Sequence, residues 1–233
     1  MRQHSGIGVL DKAVAVLYAV ADEPCGLNDL CTRTGLPRAT AHRLAVGLET
    51  HRLLARDGSG LWRPGPALTE LSAGAADPLV EAAGAILPRL REITGESVQL
   101  YCRDGNARVC VAALEPPVGL RDTVPVGSRL PLTAGSAAKV LLAWADPEQQ
   151  RTVLADAVFG DRALAEVRKR GWAQSAAERA QGVASVSAPV RDAAGVVVAA
   201  VSVSGPIDRM GRRPGARWAA DLVAAAEALH KRL

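Results

Sequence analysis

Aromatic and metal-binding side chains are scarce in this sequence. Four Trp, two Tyr and one Phe make up 3% of the 233 residues, and histidine and cysteine occur four times each. The cysteines form no Cys-x-x-Cys pair and the histidines do not cluster, so we expect no metal ion and no cofactor. Buried, inert thiols are the favoured interpretation of the cysteines, and a redox sensor is the alternative.

Long apolar runs and an excess of one charge are also missing. No stretch reaches the roughly 20 consecutive apolar residues that a membrane-spanning helix requires, and the first residues do not have the layout of a secretory signal. We therefore expect a cytoplasmic protein without a membrane partner. The net charge is only +4 and the two signs are interleaved, so an argument for nucleic acid must rest on where the arginines lie.

The segment from Gly26 to Pro64 has the pattern of a helix, a tight turn, a second helix and a small hairpin. Asn28 is placed to cap the first of these helices. Gly35 suits the left-handed conformation on which helices end, and Pro37 opens the next helix, where its missing N–H costs nothing. Asp57-Gly58 is a strong hairpin signal. This order predicts a winged helix-turn-helix, an element that places its second helix in the major groove of DNA.

The polar side of that second helix is the predicted reading surface. It lies opposite an apolar stripe at positions 41, 44, 45 and 48. Arginine bonds O6 and N7 of guanine, a small methyl side chain touches the thymine methyl, and threonine or a helix N-terminus suits phosphate. Two further arginines flank the hairpin tip, within reach of the flanking backbone or minor groove. The predicted DNA-binding residues are Arg38, Ala39, Thr40, His42, Arg43, Arg56 and Arg63.

Two other interpretations of this segment stay open. It has the composition of an ordinary three-helix bundle whose hairpin arginines are merely solvated. It also fits an interaction or sensor module whose winged helix contacts protein instead of DNA.

A first helix is expected between Gly8 and Pro24. Its apolar residues recur at i, i+3, i+4 and i+7, which predicts an amphipathic helix that packs on the other two. The predicted packing face consists of Leu10, Ala13, Val14, Leu17 and Ala21.

From residue 79 onward the pattern mixes helices and strands. An apolar helical repeat covers Leu79 to Thr94, and Pro88 inside it predicts a kink or a break. Strands are predicted at about 97–102, 108–114, 120–126, 183–190 and 196–204, and helices at about 134–144, 147–154, 163–170 and 214–233. Several antiparallel hairpins covered by helices make an α+β fold.

An enzymatic alternative comes from Ser136-Ala137-Ala138-Lys139, which fits the Ser-x-x-Lys motif of acyl-enzyme hydrolases. The spacing places Ser and Lys on adjacent faces of one helical turn, where a neutral Lys accepts the Ser proton. Two fixed positions in four arise often by chance, and no Ser-Asp-Asn or Lys-Thr-Gly follows. The histidines offer no Ser-His-Asp triad. We therefore expect no catalysis.

Three stretches carry a resemblance to a known family. Residues 36–44 read Leu-Pro-Arg-Ala-Thr-Ala-His-Arg-Leu, and residues 130–139 read Leu-Pro-Leu-Thr-Ala-Gly-Ser-Ala-Ala-Lys. The third stretch departs from the family pattern at Arg191, where an aromatic residue or histidine is usual. Its matching positions are Gly171, Ser175, Glu178, Ser185, Val186, Ser187, Val190 and Asp192. On these motifs the chain resembles the IclR family of bacterial transcription regulators over essentially its whole length. Within the family it looks most like the NdgR-type actinobacterial regulators of amino-acid metabolism, leucine biosynthesis among them.

The resemblance implies a winged helix-turn-helix followed by a GAF-like α/β effector-binding domain. It also implies homodimers joined through their DNA-binding halves, and often tetramers built from two dimers. By position, the site for a small organic acid would consist of Leu130, Ser136, Ala137, Ser175, Val183, Ser185, Ser202 and Ser204.

The residues themselves are compatible with such a site. Ser202 and Ser204 alternate with valines, so both hydroxyls point to one face of a strand. Ser136 lies near a helix N-terminus, where free N–H groups favour a carboxylate. The alternative is that the serines face solvent or bond neighbouring backbone. Asp122, which aligns with a further pocket position, would repel an acid; if it lines the pocket, an amino acid or amide is the expected ligand.

The sequence thus predicts a DNA-binding domain at 1–66, a linker with a possible short helix at 67–78, and an effector domain at 79–233. The expected partners are double-stranded DNA with a near-palindromic operator, a small acid or amino-acid effector, and a second copy of the chain. Each protomer would insert its 37–50 helix into one half-site. Effector binding would then change operator affinity by shifting the two winged helices.

Overall fold

The computed structural model describes residues 5–73 and 77–233. The chain divides into two compact units, Met1–Ala76 and Asp77–Leu233, and each is described by itself. Among the described helices, none combines the length and apolar character needed to cross a membrane.

The first unit is a helix-turn-helix with a wing. Its elements are α1 (Gly8–Asp22), α2 (Leu27–Thr34), α3 (Arg38–Thr50), β1 (Leu54–Arg56), β2 (Trp62–Pro64) and α4 (Pro66–Ala73). Strands β1 and β2 pair antiparallel, with Ala55 opposite Arg63. Helix α4 begins at the last residue of the predicted DNA-binding domain and otherwise lies in the predicted linker, whose residues 74–76 are outside the described ranges.

The turn between α2 and α3 forms at the predicted glycine. Gly35 has φ of 70°, and its N–H donates to the carbonyl of Cys31 at 2.8 Å, which ends α2. The predicted cap at Asn28 is wrong: α2 begins at Leu27, with Gly26 in the cap position. Because Leu27 already packs into the core, the helix starts one residue before the polar side chain that was expected to cap it.

The predicted packing face of α1 is also wrong. The helix buries Val16, Ala19 and Val20, whereas Leu10 and Val14 are 48% and 38% exposed. Of the other predicted residues, Ala21 is exposed, and Ala13 and Leu17 are half-buried. Positions 13–21 are all apolar or aromatic, so periodicity alone does not select a face.

The second unit is built on one six-stranded sheet. Its strands are β3 (Ser97–Asp104), β4 (Ala107–Leu114), β5 (Arg129–Pro131), β6 (Ala173–Ala176), β7 (Val183–Arg191) and β8 (Val197–Pro206). They lie in the order β5-β4-β3-β8-β7-β6, and each adjacent pair is antiparallel. The helices are α5 (Pro78–Thr94), α6 (Ser136–Ala143), α7 (Pro147–Leu154), α8 (Asp161–Arg170), α9 (Ile207–Met210) and α10 (Gly215–His230). The predicted α+β fold class is confirmed.

Three local features of this unit differ from the sequence prediction. Residues 120–126 form no strand, because Pro125 lacks the N–H that a ladder needs and the flanking Gly119 and Gly127 both have φ of 90°. The short strands β5 and β6 were not predicted. Helix α5 runs through Pro88 as one element, so the expected break does not occur.

Two apolar layers lie on opposite faces of the sheet. On one face, α5 and α10 cover valines of β7 and β8 such as Val186 and Val203. On the other, α6 and α8 cover Tyr101, Cys110 and Ala200. Because side chains alternate along a strand, the serines between those valines face α6. The predicted common orientation of Ser202 and Ser204 is therefore confirmed.

The cysteines of β3 and β4 lie on opposite faces of this sheet. Cys110 is opposite Tyr101, whereas Cys102 is opposite Val109, and all four cysteines are free thiols. Burial raises the pKa of both Cys102 and Cys110 to about 11, which keeps them protonated and weakly nucleophilic at neutral pH.

The central strand supplies a stability test. Leu100 of β3 is fully buried between the sheet and its helices, whereas Leu120 is 74% exposed. We expect Leu100→Ala to lower the free energy of unfolding by about 2–5 kcal/mol, because it leaves a cavity in a packed layer. The matched control Leu120→Ala should change it by no more than about 0.5 kcal/mol. Urea denaturation followed by circular dichroism measures both, and equal losses would contradict the assigned core.

Candidate functional site

The outer face of α3 is open. Ala39, His42 and Arg43 are exposed, while Ala41 and Ala45 on the inner side are fully buried. In the described part of the chain, no residue hydrogen-bonds or ion-pairs with the guanidinium of Arg43. A cation is thus presented on a helix face that the core does not use.

The first turn of α3 is suited to a phosphate. It contains no acidic residue, so its free N–H groups and positive dipole end are not neutralised locally. Arg38 is exposed and donates to the side-chain oxygen of Asn28 in α2, and Thr40 is half-buried. Asn28 therefore orients a predicted DNA-binding arginine instead of capping its own helix.

A cluster of three residues ties the wing to α3. The indole Nε1 of Trp62 donates to Glu49 Oε2 at 3.1 Å, and Arg56 Nε donates to the same oxygen at 3.3 Å. The bond from Trp62 contributes most to lowering the pKa of the Glu49 carboxyl, and the bond from Arg56 lowers it further. The Arg56 guanidinium lies 4.2 Å from the Trp62 ring centroid, and the His42 ring meets Trp62 edge-on at 6.1 Å.

The two predicted wing arginines therefore differ. Arg56 is engaged by Glu49, by the Trp62 ring and by the carbonyl of Gly60, to which Nη1 donates at 3.1 Å. Arg63 is exposed, and among the described residues none bonds to its side chain. The main role of Arg56 is to hold the wing, whereas the guanidinium of Arg63 is available for contact with another molecule.

In the second unit, serine hydroxyls form a connected ladder on the α6 side of the sheet. Ser136 Oγ at the start of α6 lies 2.7 Å from both Ser185 Oγ and Ser187 Oγ of β7. Ser187 donates to Ser202 of β8 at 2.9 Å, and Ser175 of β6 lies 2.9 Å from Ser185. The ladder fixes the first turn of α6 above three strands and forms the floor of a small cavity.

A buried guanidinium forms another wall of this cavity. Arg108 of β4 is 2% exposed, and its Nη1 donates to the carbonyls of Pro131 and Ala134. Its Nε is buried and has no hydrogen-bond partner. Burial lowers the pKa of Arg108 to about 10, so it keeps its charge at neutral pH. No carboxylate of the described residues forms an ion pair with it.

An ion pair narrows the cavity. Arg179, in the turn between β6 and β7, donates from Nη2 to both carboxylate oxygens of Asp122 at 2.6 and 2.5 Å. The Asp122 side chain is 9% exposed and that of Arg179 is 26% exposed. With this pair in place the cavity measures about 20 Å³, room for about one water molecule.

A second ion pair fixes the residue next to Arg179. Glu178 Oε1 accepts from Lys139 Nζ of α6, and its other oxygen accepts from the N–H of Gly135 at 3.2 Å. Lys139 also donates to the carbonyl of Gln174 at 3.0 Å. The bonds of Lys139 thus go to Glu178 and Gln174, and these contacts give the Ser-x-x-Lys alternative no support.

The structure brings together most of the predicted effector residues. Ser136, Ala137, Ser185, Ser202 and Ser204 all line the cavity, as does Asp122. Three predicted residues are not in the lining. Ser175 reaches it only through its bond to Ser185, Leu130 packs in the apolar layer under α6, and Val183 is half-buried at the start of β7.

The sequence-based prediction missed four lining residues, namely Tyr101, Arg108, Gly135 and Arg179. Arg108 had a usable signal, because it is an arginine inside a predicted strand, two residues before the apolar Cys110 that shares its face. Gly135 has φ of 97°, a conformation that L side chains rarely adopt. The position of Arg179 depends on a loop contact that carries no local signal.

Arg191, where the chain departs from the family pattern, is not among the residues that line this cavity. It borders a separate groove of about 250 Å³ beside Trp144, with its guanidinium 4.6 Å from the indole centroid. Its Nη1 donates to the carbonyl of Gly195 at 2.7 Å. This end of β7 lies beyond the serine ladder, so the departure from the family pattern at Arg191 does not change the lining of the cavity.

The described residues offer no metal centre. No group of three or more His, Cys, Asp or Glu side chains comes together in them. The two acidic residues near the cavity, Asp122 and Glu178, are each paired with a cation. The chemistry of the cavity is therefore that of hydroxyl and guanidinium groups, which bind anions.

Comparison with known proteins covers both units. Residues 9–58 match the IclR helix-turn-helix domain, and residues 74–231 match the C-terminal domain of the bacterial transcriptional regulator IclR. The chain is 33% identical over 224 residues to the HTH-type transcriptional regulator BhcR of Paracoccus denitrificans, covering 88% of this chain and 80% of that protein.

Solved structures agree with this assignment. An IclR transcriptional regulator from Alicyclobacillus acidocaldarius superposes with a TM-score of 0.86 at 25% identity, covering 97% of this chain and 98% of the other. An IclR homologue from Microbacterium hydrocarbonoxydans, complexed with 4-hydroxybenzoate, gives 0.84 at 26% identity with the same coverage. The open α3 face and the small polar cavity thus belong to a member of the IclR family of transcriptional regulators, with a DNA-binding helix-turn-helix and a ligand-binding C-terminal domain.

Proposed function

We propose that the protein is a homodimeric regulator in which α3 reads a near-palindromic operator and a small monocarboxylate in the second unit sets operator affinity. Residues 1–66 form the DNA-binding domain, 67–78 the linker and 79–233 the effector domain. The observation that carries the DNA-binding half is the free Arg43 on the outer face of α3, beside arginines that are tied to the protein. A regulator of chromosomal DNA acts in the cytoplasm, and we place it there without catalytic activity.

Asp122 lines the cavity, which by the sequence argument favours an amino acid or amide; because Asp122 is paired with Arg179, the charge of the cavity supports an anionic effector instead. Its lining contains two guanidinium groups, Arg108 and Arg179, and one carboxylate, Asp122, which leaves one positive charge in excess. A buried charge without a partner is costly, so a bound monoanion neutralises the site. The 4-hydroxybenzoate carried by the M. hydrocarbonoxydans relative is such an anion. The resemblance to NdgR-type regulators makes amino-acid metabolism, with leucine and its 2-oxo acid, the pathway to test first.

The interface for dimer formation is proposed on α1. Leu10, Val14 and Tyr18 are exposed and, with Ala21, lie within about 80° of one another on a helical wheel. Ile7, just before the helix, is 58% exposed. A continuous apolar stripe on a small unit marks an interaction surface. Pairing of two such stripes would join two DNA-binding units, and pairing of effector domains would give the tetramer.

The reading role of Arg43 is testable against a wing arginine. We expect Arg43→Ala to weaken binding to the operator by about 1–3 kcal/mol and to relax its base preference, with little loss on scrambled duplex. Arg63→Ala should weaken both duplexes alike and reduce the salt slope by about one, as loss of a phosphate contact does. Fluorescence anisotropy at several salt concentrations measures both.

The control for these variants is Arg162→Ala, since that side chain is 95% exposed on α8 and should leave binding unchanged. Equal loss on operator and scrambled DNA for Arg43→Ala would contradict base reading. Arg56→Ala, predicted from the sequence to weaken all duplexes alike, should in addition loosen the wing through loss of its contacts with Glu49 and Trp62.

The α1 stripe is tested by charge. Leu10→Glu combined with Val14→Glu should convert a dimer into monomers, because two carboxylates then face each other across a desolvated surface. Lys12→Glu lies on the opposite side of the same helix and should leave the dimer intact. Sedimentation velocity distinguishes the two. A dimer that survives the double substitution would remove α1 from the interface.

Effector capture is tested at Arg108. A carboxylate that binds the folded state raises Tm, and we expect pyruvate, 2-oxoisocaproate or leucine to do so in the unaltered chain. Arg108→Gln should abolish that shift, and Arg108→Lys should keep part of it because the charge remains. Arg129→Gln, an exposed arginine on β5, is the control. A full ligand-induced shift in Arg108→Gln would refute the assignment of this guanidinium.

A further inference from the structure

The effector cavity is too small for any organic ligand while the Arg179–Asp122 pair is closed. Its volume of about 20 Å³ admits about one water molecule, whereas even acetate has four heavy atoms. Some part of the wall must therefore move when an effector enters. Which part moves follows from how each wall is held.

Most of the wall is fixed. The floor belongs to the paired strands β7 and β8, and the serine ladder bonds it to α6. Arg108 lies on β4 and is held by two carbonyls. The Arg179–Asp122 pair, by contrast, joins two segments without regular structure, 177–182 and 115–128. It is the contact whose opening leaves the secondary structure intact.

The neighbours of both residues are anchored independently. Glu178 is held by Lys139 and by the N–H of Gly135. On the other side, Arg209 donates to the carbonyl of Leu120 at 2.7 Å, two residues before Asp122, and pairs with Glu96. Each backbone is therefore tied beside the cavity, so the Arg179 side chain can change its partner without displacing its own segment.

We infer that Asp122 is an internal competitor of the effector: its carboxylate occupies the place on Arg179 that the carboxylate of the ligand takes when it binds. The inference rests on the proposed function. One nitrogen of Arg179, Nη2, donates to both oxygens of Asp122, and a free carboxylate is able to accept the same charge-assisted bonds. Asp122 is thus a specificity-determining residue, because each ligand must bind Arg179 better than a carboxylate that is already present.

The exchange also selects ligand charge. With Asp122 ionised the lining carries one excess positive charge, which a monoanion neutralises and a dianion exceeds. Without the Asp122 charge the excess is two, and a dianion becomes matched. Removal of this carboxylate should therefore favour every carboxylate ligand, and dicarboxylates most of all.

The test is Asp122→Asn in the full chain, with pyruvate and malonate as probes in isothermal titration calorimetry. If the state with Arg179 released from Asp122 has a population of about 1–10%, we expect Asp122→Asn to lower the Kd for pyruvate about 10- to 100-fold. The Kd for malonate should fall by a larger factor. Asp104→Asn removes the carboxylate of another ion pair, the exposed one with Arg129, and should change neither. Asp122→Ala repeats the measurement if the Asn variant has lost its thermal transition.

Arg179→Gln completes the experiment. It should weaken pyruvate, because the ligand loses the guanidinium that it takes over from Asp122. Unchanged or weaker pyruvate binding in Asp122→Asn would overturn the inference, and so would tighter binding in Arg179→Gln, which would make Arg179 a mere plug. If pyruvate binds the unaltered chain and is lost only in Arg108→Gln, the proposed function stands while the exchange fails. If pyruvate binds neither the unaltered chain nor any of these variants, monocarboxylate sensing itself fails.

Discussion

The pairing of β7 with β8 is the constraint on which the effector domain depends. Their register sets Ser185 opposite Ser204 and Ser187 opposite Ser202, with Val186 opposite Val203 between them. A strand has a period of two, so one register places Val186, Val190, Val201 and Val203 against α5 and α10 and turns the four serines of the two strands toward α6. A slip by one residue would bury the hydroxyls in an apolar layer and expose the valines to the site. Core and site are therefore specified by the same hydrogen-bond ladder.

The first unit depends on arginines that bond one of its elements to another. Arg33 donates to the carbonyls of Ala19 and Glu23 and so joins α2 to the end of α1. Arg56 joins the wing to α3 through Glu49. These arginines stiffen the scaffold, whereas Arg43 is exposed and is the residue proposed to read DNA. A rigid scaffold limits how the exposed arginines are oriented, and phosphate contacts from such residues fix the register of a protein on DNA.

The sequence predicts much of this because its signals are local. The turn and helix-boundary signals depend on only a few neighbouring residues, as at Gly35, Pro37 and Asp57-Gly58. The alternation of residues in β8 likewise predicts the face on which Ser202 lies. The α1 face was predicted wrongly because residues 13–21 are apolar all round, so the packing partner decides. Arg179 and Asp122 are 57 residues apart, and no periodic pattern links them. Contacts between irregular segments are the part of the site that only three-dimensional structure supplies.

The alternation in β7 and β8 also bears on how such regulators diverge. Substitutions at the serine positions reshape the ligand cavity while the intervening valines keep the sheet folded, so recognition and stability occupy separate sets of codons within one strand. A substitution in the serine ladder also removes a bond that holds α6, so a change of cavity shape destabilises one side of the sheet while the valine layer on the other side is unchanged. The same sheet is then reusable for many metabolites.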